Sequence, residues 1–201
     1  MKFDQPRKIN TISIDTNVLL DLPRVPYFES FTPRTEEDKK MLERVVDSYT
    51  LVRLCLAENI KIGKVGIRVV EKEIQKSTTL LPVFHELFPT VVGPDRAARR
   101  LAGDYMSALG IGSADAMLLA IASVNDVDIF LSWNRDDISN EKTQKAIETI
   151  NKRKRIRIPF LCTPAYFLDR LVGSMGSKSR TLSLSNCPVP RAYRLKFFPS
   201  R

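Results

Sequence analysis

A chain of 201 residues with 43% apolar content suits one α/β domain with a real core, and its net charge of +9 favours an anionic partner. The longest apolar run, Ala116 to Ala122, is too short to span a bilayer, and the opening MKFDQPRKIN carries no signal-like apolar stretch, so a cytoplasmic protein without a membrane partner is expected. Three scattered cysteines (Cys55, Cys162, Cys187) and one histidine (His85) argue against a zinc site or disulfide framework, and no GxSxG elbow supports a Ser-His-Asp triad.

In chain order, Thr11 to Ile14 reads as a short buried strand, and Asn17 to Leu22 as a turn opening a helix. Residues 23 to 35, with Pro23, Pro26 and Pro33, read as a loop. Thr35 followed by Glu36, Glu37 and Asp38 marks a helix start, and apolar residues from Leu42 to Leu56 carry that helix towards Asn59. IKIGKV is the second strand, IRVVEKEIQKS a helix of one or two turns, and Leu80 to Phe88 a further helical stretch. Pro94 and Gly110 bracket another helix. The segment GIGSADAMLLAIASVN is a strong helix with Ser113 as its expected N-cap. DIFLS is a strand, Glu141 to Lys152 a helix, IPFLC a strand and Pro164 to Val172 a last helix. Strands alternating with helices predict a three-layer α/β/α sandwich around a mostly parallel sheet. Residues 1–9 read as an N-terminal extension, 10–172 as the domain, and 173–201 as a basic tail.

Four separate stretches then set carboxylates near one edge of that sheet. Asp15 ends the first strand, Glu73 follows the second within a helix, Asp115 lies in the first turn of the SADAMLLA helix, and Asp136 and Asp137 follow DIFLS. Open parallel sheets bind ligands outside the carboxyl ends of their strands. Each acid has an ordinary alternative. Asp15 could cap the next helix through Val18 or Leu19, Glu73 could be a surface acid beside Glu71, Asp115 could serve its helix dipole, and the Asp136–Asp137 pair could form a turn. Jointly, clustered carboxylates repel unless a hard cation such as Mg²⁺ accepts their oxygens, and such an ion activates water for phosphodiester hydrolysis.

ISIDTNVLLD, VVEKEI, SADAMLLAIA and LSWNRDDI together resemble the four acidic blocks of PIN-domain ribonucleases, and IPFLCTPAYFL resembles the strand and helix that follow in one subgroup. The likeness spans about Ile12 to Leu171. It implies an α/β/α fold and Mg²⁺- or Mn²⁺-dependent cleavage of RNA, with Asp15, Glu73, Asp115 and Asp137 as the catalytic acids. It further implies Asp15, Asp115 and Asp137 as metal ligands, and Asn17, Ser113, Asn134 and Asp136 as supporting residues. Many small members of that family are toxins with an antitoxin partner, and dimers are common among them. The segment from Leu22 to Asn59 is longer here than in the smallest toxins.

Basic residues are unevenly spread. Lys152, Arg153, Lys154, Arg155 and Arg157 crowd one run, and the tail, with Arg191, Arg194 and Lys196, has no acid from Gly173 onward. They are the expected RNA-backbone contacts, against the plainer reading of a solvated helix end and a solubilising tail. Trp133 either stacks on a base or packs beneath the site. Two rival functions follow. A catalytically silent PIN fold could bind RNA or protein, and a haloacid-dehalogenase-like phosphatase would need an Asp where Asn17 stands.

Overall fold

The computed structural model describes residues 9–28, 31–57 and 62–174. Five strands form one sheet: β1 (Thr11–Ile14), β2 (Gly63–Ile67), β3 (Thr90–Val92), β4 (Ile129–Leu131) and β5 (Phe160–Cys162). Their spatial order is β3-β2-β1-β4-β5 and every pairing is parallel. Parallel strands require crossover helices, which here cover both faces and give a three-layer α/β/α sandwich. On one face α3 (Glu36–Leu56) packs against α5 (Leu80–Leu87) and α9 (Pro164–Ser174). On the other, α6 (Arg96–Leu109) packs against α7 (Ser113–Val124) and α8 (Glu141–Lys154). The short helices α1 (Thr16–Leu19), α2 (Val25–Phe28) and α4 (Arg68–Ile74) complete the set.

The strands read as continuous apolar runs because both faces are covered: Ile12, Ile14, Ile129, Phe130 and Leu131 are all buried. Tyr105 pins α6 to its neighbours through polar contacts inside this core. Its hydroxyl lies 3.0 Å from Ser123 Oγ on α7 and donates to Asn151 Oδ1 on α8 at 2.7 Å. Local signals set the helix ends. Thr35 and Asp38 form a capping box at α3, and Gly110 ends α6 in the left-handed region at φ 70°.

Several sequence-based boundaries shift. Pro23 sits inside a 3₁₀ turn, Leu22–Arg24, and α2 follows it, so part of the proline-rich loop is helical. Asp95 rather than Pro94 starts α6, with its carboxylate accepting from the Ala98 amide at 2.7 Å. Ser113 is the first helical residue of α7, and Gly112, in extended backbone, is the N-cap without a side-chain bond. The second strand runs on to Ile67, because Gly66 lets the backbone press against Phe84 and Phe88. A Cβ at Gly66 would meet the Phe88 Cβ at 2.7 Å. β3 has no signal in the sequence; three residues between two Pro-bearing turns become a strand only by pairing with β2. Among the described residues no helix is long and apolar enough to cross a membrane.

Candidate functional site

The strand order reverses direction between β1 and β4: the chain winds from β1 to β3 one way, then returns to the far side of β1. Such a switch point leaves a crevice at the carboxyl ends of the two strands. Asp15 and Ser132 stand on its two sides, 117 residues apart in sequence. The Ile14–Leu131 pairing sets them level, and the Asp15 amide adds one more rung by donating to Leu131 O at 2.9 Å. Ser132 Oγ then donates to Asp15 Oδ2 at 2.6 Å.

Asp15 is 5% exposed, and three donors occupy its two oxygens, which leaves one acceptor site on Oδ1. Oδ1 accepts from the Thr16 amide at 2.7 Å, which makes Asp15 the N-cap of α1, though through Thr16 rather than Val18 or Leu19. Oδ2 also accepts from Asn17 Nδ2 at 2.7 Å. Asn17 is a bridge: Nδ2 reaches Ser132 Oγ at 3.0 Å, and Oδ1 accepts from the Trp133 amide at 3.0 Å. Capping and site-building are therefore the same set of bonds.

The other acids arrive from three further elements. Glu73, exposed on α4, accepts a hydrogen bond from Thr16 Oγ1. Asp115, half-buried, projects from the first turn of α7. Asp137 follows β4 in a turn closed by Asn134, whose Oδ1 accepts from the Asp137 amide at 3.1 Å. Asn134 is itself set by its amide, which donates to Ser132 Oγ at 3.0 Å. Asp136 faces solvent, and its carbonyl is tied to Asn140 instead.

Burial chiefly pushes the Asp15 carboxyl up to about 6, and the charges of Asp115 and Glu73 push the same way against the hydrogen bonds from Ser132 and Thr16. Asp115 is also raised, first by burial and then by Asp137 and Glu73, with a hydrogen bond from Asn134 opposing. Asp15, Glu73, Asp115 and Asp137 thus form one coupled set. Among the described residues no group of three or more His, Cys, Asp or Glu side chains is placed to hold a metal ion. The donors that lie nearest one another here are carboxylate oxygens, the class that a hard cation keeping several of its waters takes one or two at a time. Neither thiol among the described residues contributes: Cys55 and Cys162 are buried, and burial pushes both up, Cys55 to about 12.

The fold separates the basic run from these acids. α8 starts beyond the carboxyl end of β4 and runs back, so its last residues lie at the amino-terminal edge of the sheet. There Arg157 pairs with Asp128, which immediately precedes β4. Lys154 pairs with Asp104 at 2.8 Å and Lys152 lies 3.9 Å from Glu148. Arg153 and Arg155 are exposed, the latter in the left-handed cap of α8. Arg191, Arg194 and Lys196 lie outside the described residues. Trp133 takes the packing role: it lies against the core, donates Nε1 to Ser48 Oγ at 2.8 Å, and has the Arg44 guanidinium 5.7 Å from its ring centre.

Sequence reasoning missed Thr16 and Ser132, both adjacent to residues it singled out. Ser132 occupies the strand-end position on β4 that Asp15 occupies on β1, which is the signal that could have found it. No family model and no curated protein matches this chain.

Proposed function

We propose that the chain is a divalent-metal-dependent ribonuclease of PIN-like design. The observation that carries this reading is the convergence of Asp15, Glu73, Asp115 and Asp137, from four different elements, on the crevice between β1 and β4. A stable fold gains nothing from crowding negative charge there, whereas an active site for phosphoryl chemistry needs it. The likeness of the four sequence blocks to PIN nucleases supports the same conclusion.

Mg²⁺ or Mn²⁺ bound in the crevice supplies compensation of the carboxylate charge and polarisation of a phosphate oxygen. Asp15, Asp115 and Asp137 would hold the ion; Asn17 and Ser132 fix the direction of the Asp15 carboxylate, and Asn134 donates to those of Asp137 and Asp115. Glu73, held by Thr16 at the rim, orients the attacking water and receives its proton. Water oxygen attacks phosphorus as the bond to the 3′ oxygen breaks, and that oxygen takes a proton from solvent, leaving a 5′-phosphate and a 3′-hydroxyl. No protein nucleophile enters, in keeping with two buried thiols of raised pKa.

The test is cleavage of a pool of labelled RNAs with Mn²⁺, comparing the parent with the Asp15→Asn/Asp115→Asn variant. Metal-dependent cutting confined to the parent is expected. RNA bound equally by both proteins and left intact by both would refute hydrolysis and leave an RNA-binding module in its place.

A further inference from the structure

One acid in the vicinity belongs to no part of this reading. The side chain of Asp21 is fully buried, just beyond α1, and gathers three donors. Arg44 Nε and Ser48 Oγ, both on α3, lie at 2.9 Å, and Arg24 Nη1 lies at 3.3 Å. A buried ion pair is a poor fastener, since an apolar pair of similar volume usually holds two elements at least as well. What Asp21 achieves is the placement of Arg44. The guanidinium is held at Nε by Asp21 and at Nη2 by the Asn17 carbonyl (3.3 Å), and it lies over Trp133. Trp133 is fixed in turn by Ser48 and by Asn17, and Asn17 bonds Asp15 directly. Arg44 is thus linked through the single residue Asn17 to the carboxylate at the end of β1.

The side chain nevertheless keeps 38% of its surface open. Of the five N–H donors of a guanidinium, Arg44 uses two, and the other three meet no acceptor among the described residues. A planar, permanently charged group with its orientation already set is the form of cation that takes phosphate oxygens with least loss of freedom. The dense basic run of α8 lies at the opposite edge of the sheet.

We propose that Arg44, set in place by Asp21 and Trp133, is a phosphate-binding residue that grips an RNA backbone phosphate beside the scissile one. The assignment rests on the nuclease reading for the identity of the ligand. Its test does not depend on cleavage. Binding of a short labelled single-stranded RNA is measured in EDTA at several salt concentrations for the parent, Arg44→Ala, Arg44→Lys and the double variant Asp21→Asn/Arg44→Gln. The double variant removes the charge without stranding a buried carboxylate, and thermal melts accompany each protein.

Loss of one phosphate contact makes the slope of log affinity against log salt shallower by about 0.7 for a single strand, and weakens different RNA sequences by a similar factor. Both changes are expected in the Ala and double variants, with Lys restoring the slope. An unchanged slope in a folded double variant overturns the assignment, because a purely structural Arg44 would move only the melting temperature. A parent that binds no RNA overturns it as well. Binding without cutting in Mn²⁺ defeats the hydrolytic reading alone, and cutting with an unchanged slope defeats Arg44 alone.

Discussion

Asp15→Asn tests whether the crevice stores electrostatic strain. With its carboxyl raised from 3.8 to about 6, Asp15 holds its proton more tightly in the folded chain than in the unfolded one. At 1.36 kcal/mol per pKa unit this costs the ionised, metal-free fold about 3 kcal/mol at neutral pH. The sign follows from linkage: stability is greatest below about pH 4, where both states are protonated, and declines as pH rises through about 6. Between pH 5 and 7 the decline amounts to about 1.3 kcal/mol. An amide in place of the carboxylate removes that cost but sets one N–H against the Asn17 donor, a mismatch of about 1–2 kcal/mol. Charge relief exceeds the mismatch. In EDTA at pH 7 the variant is therefore expected to be about 1–2 kcal/mol more stable than the parent, with a flatter pH profile. A residual slope remains from Asp47, also raised to about 6, by burial and then by the charges of Asp169 and Glu43. Urea unfolding at pH 5, 6 and 7 is the assay, with Mn²⁺ added in a second series to stabilise the parent more than the variant. A variant less stable than the parent at pH 7 in EDTA, with an unaltered pH slope, would refute the electrostatic account.

Two further outcomes follow from the fold. Arg153→Gln/Arg155→Gln should leave cleavage of a short RNA oligonucleotide within about twofold of the parent, because the two arginines lie at the far edge of the sheet, beyond the reach of such a substrate; a tenfold loss in kcat/KM would place the RNA path across α8. Gln144→Ala should destabilise by about 1–3 kcal/mol in urea unfolding, since the Gln144 amide accepts from Leu161 N at 2.8 Å and donates to Pro159 O at 3.2 Å along the free edge of β5. The same variant exposes an unpaired strand edge, so light scattering on heating should rise earlier than in the parent.

The sequence alone determined the kinds of element and their sequence of appearance. Period and punctuation act over a turn or two of chain, so Thr35 with Asp38 and Gly110 with the apolar face of α6 mark their helices without help from anything distant. Placement of acids at strand and helix ends was legible for the same reason, and an α/β alternation restricts where such ends can lie. Tertiary structure decided everything that depends on which strand lies beside which. β3 exists because β2 offers it a partner, and Asp15 meets Ser132 because the sheet order brings chain ends 117 residues apart into register. The return direction of α8 carries the basic run of Lys152 to Arg157 away from the acids that its charge was expected to serve. Asp21 and Arg44 illustrate the remainder: they stand 23 positions apart in sequence, and neither has a local pattern that marks it. Only burial of α3 against the first βα unit turns two ordinary charged residues into a fixed cation at the edge of the crevice, because side-chain pairing across elements is set by packing and not by neighbours along the chain.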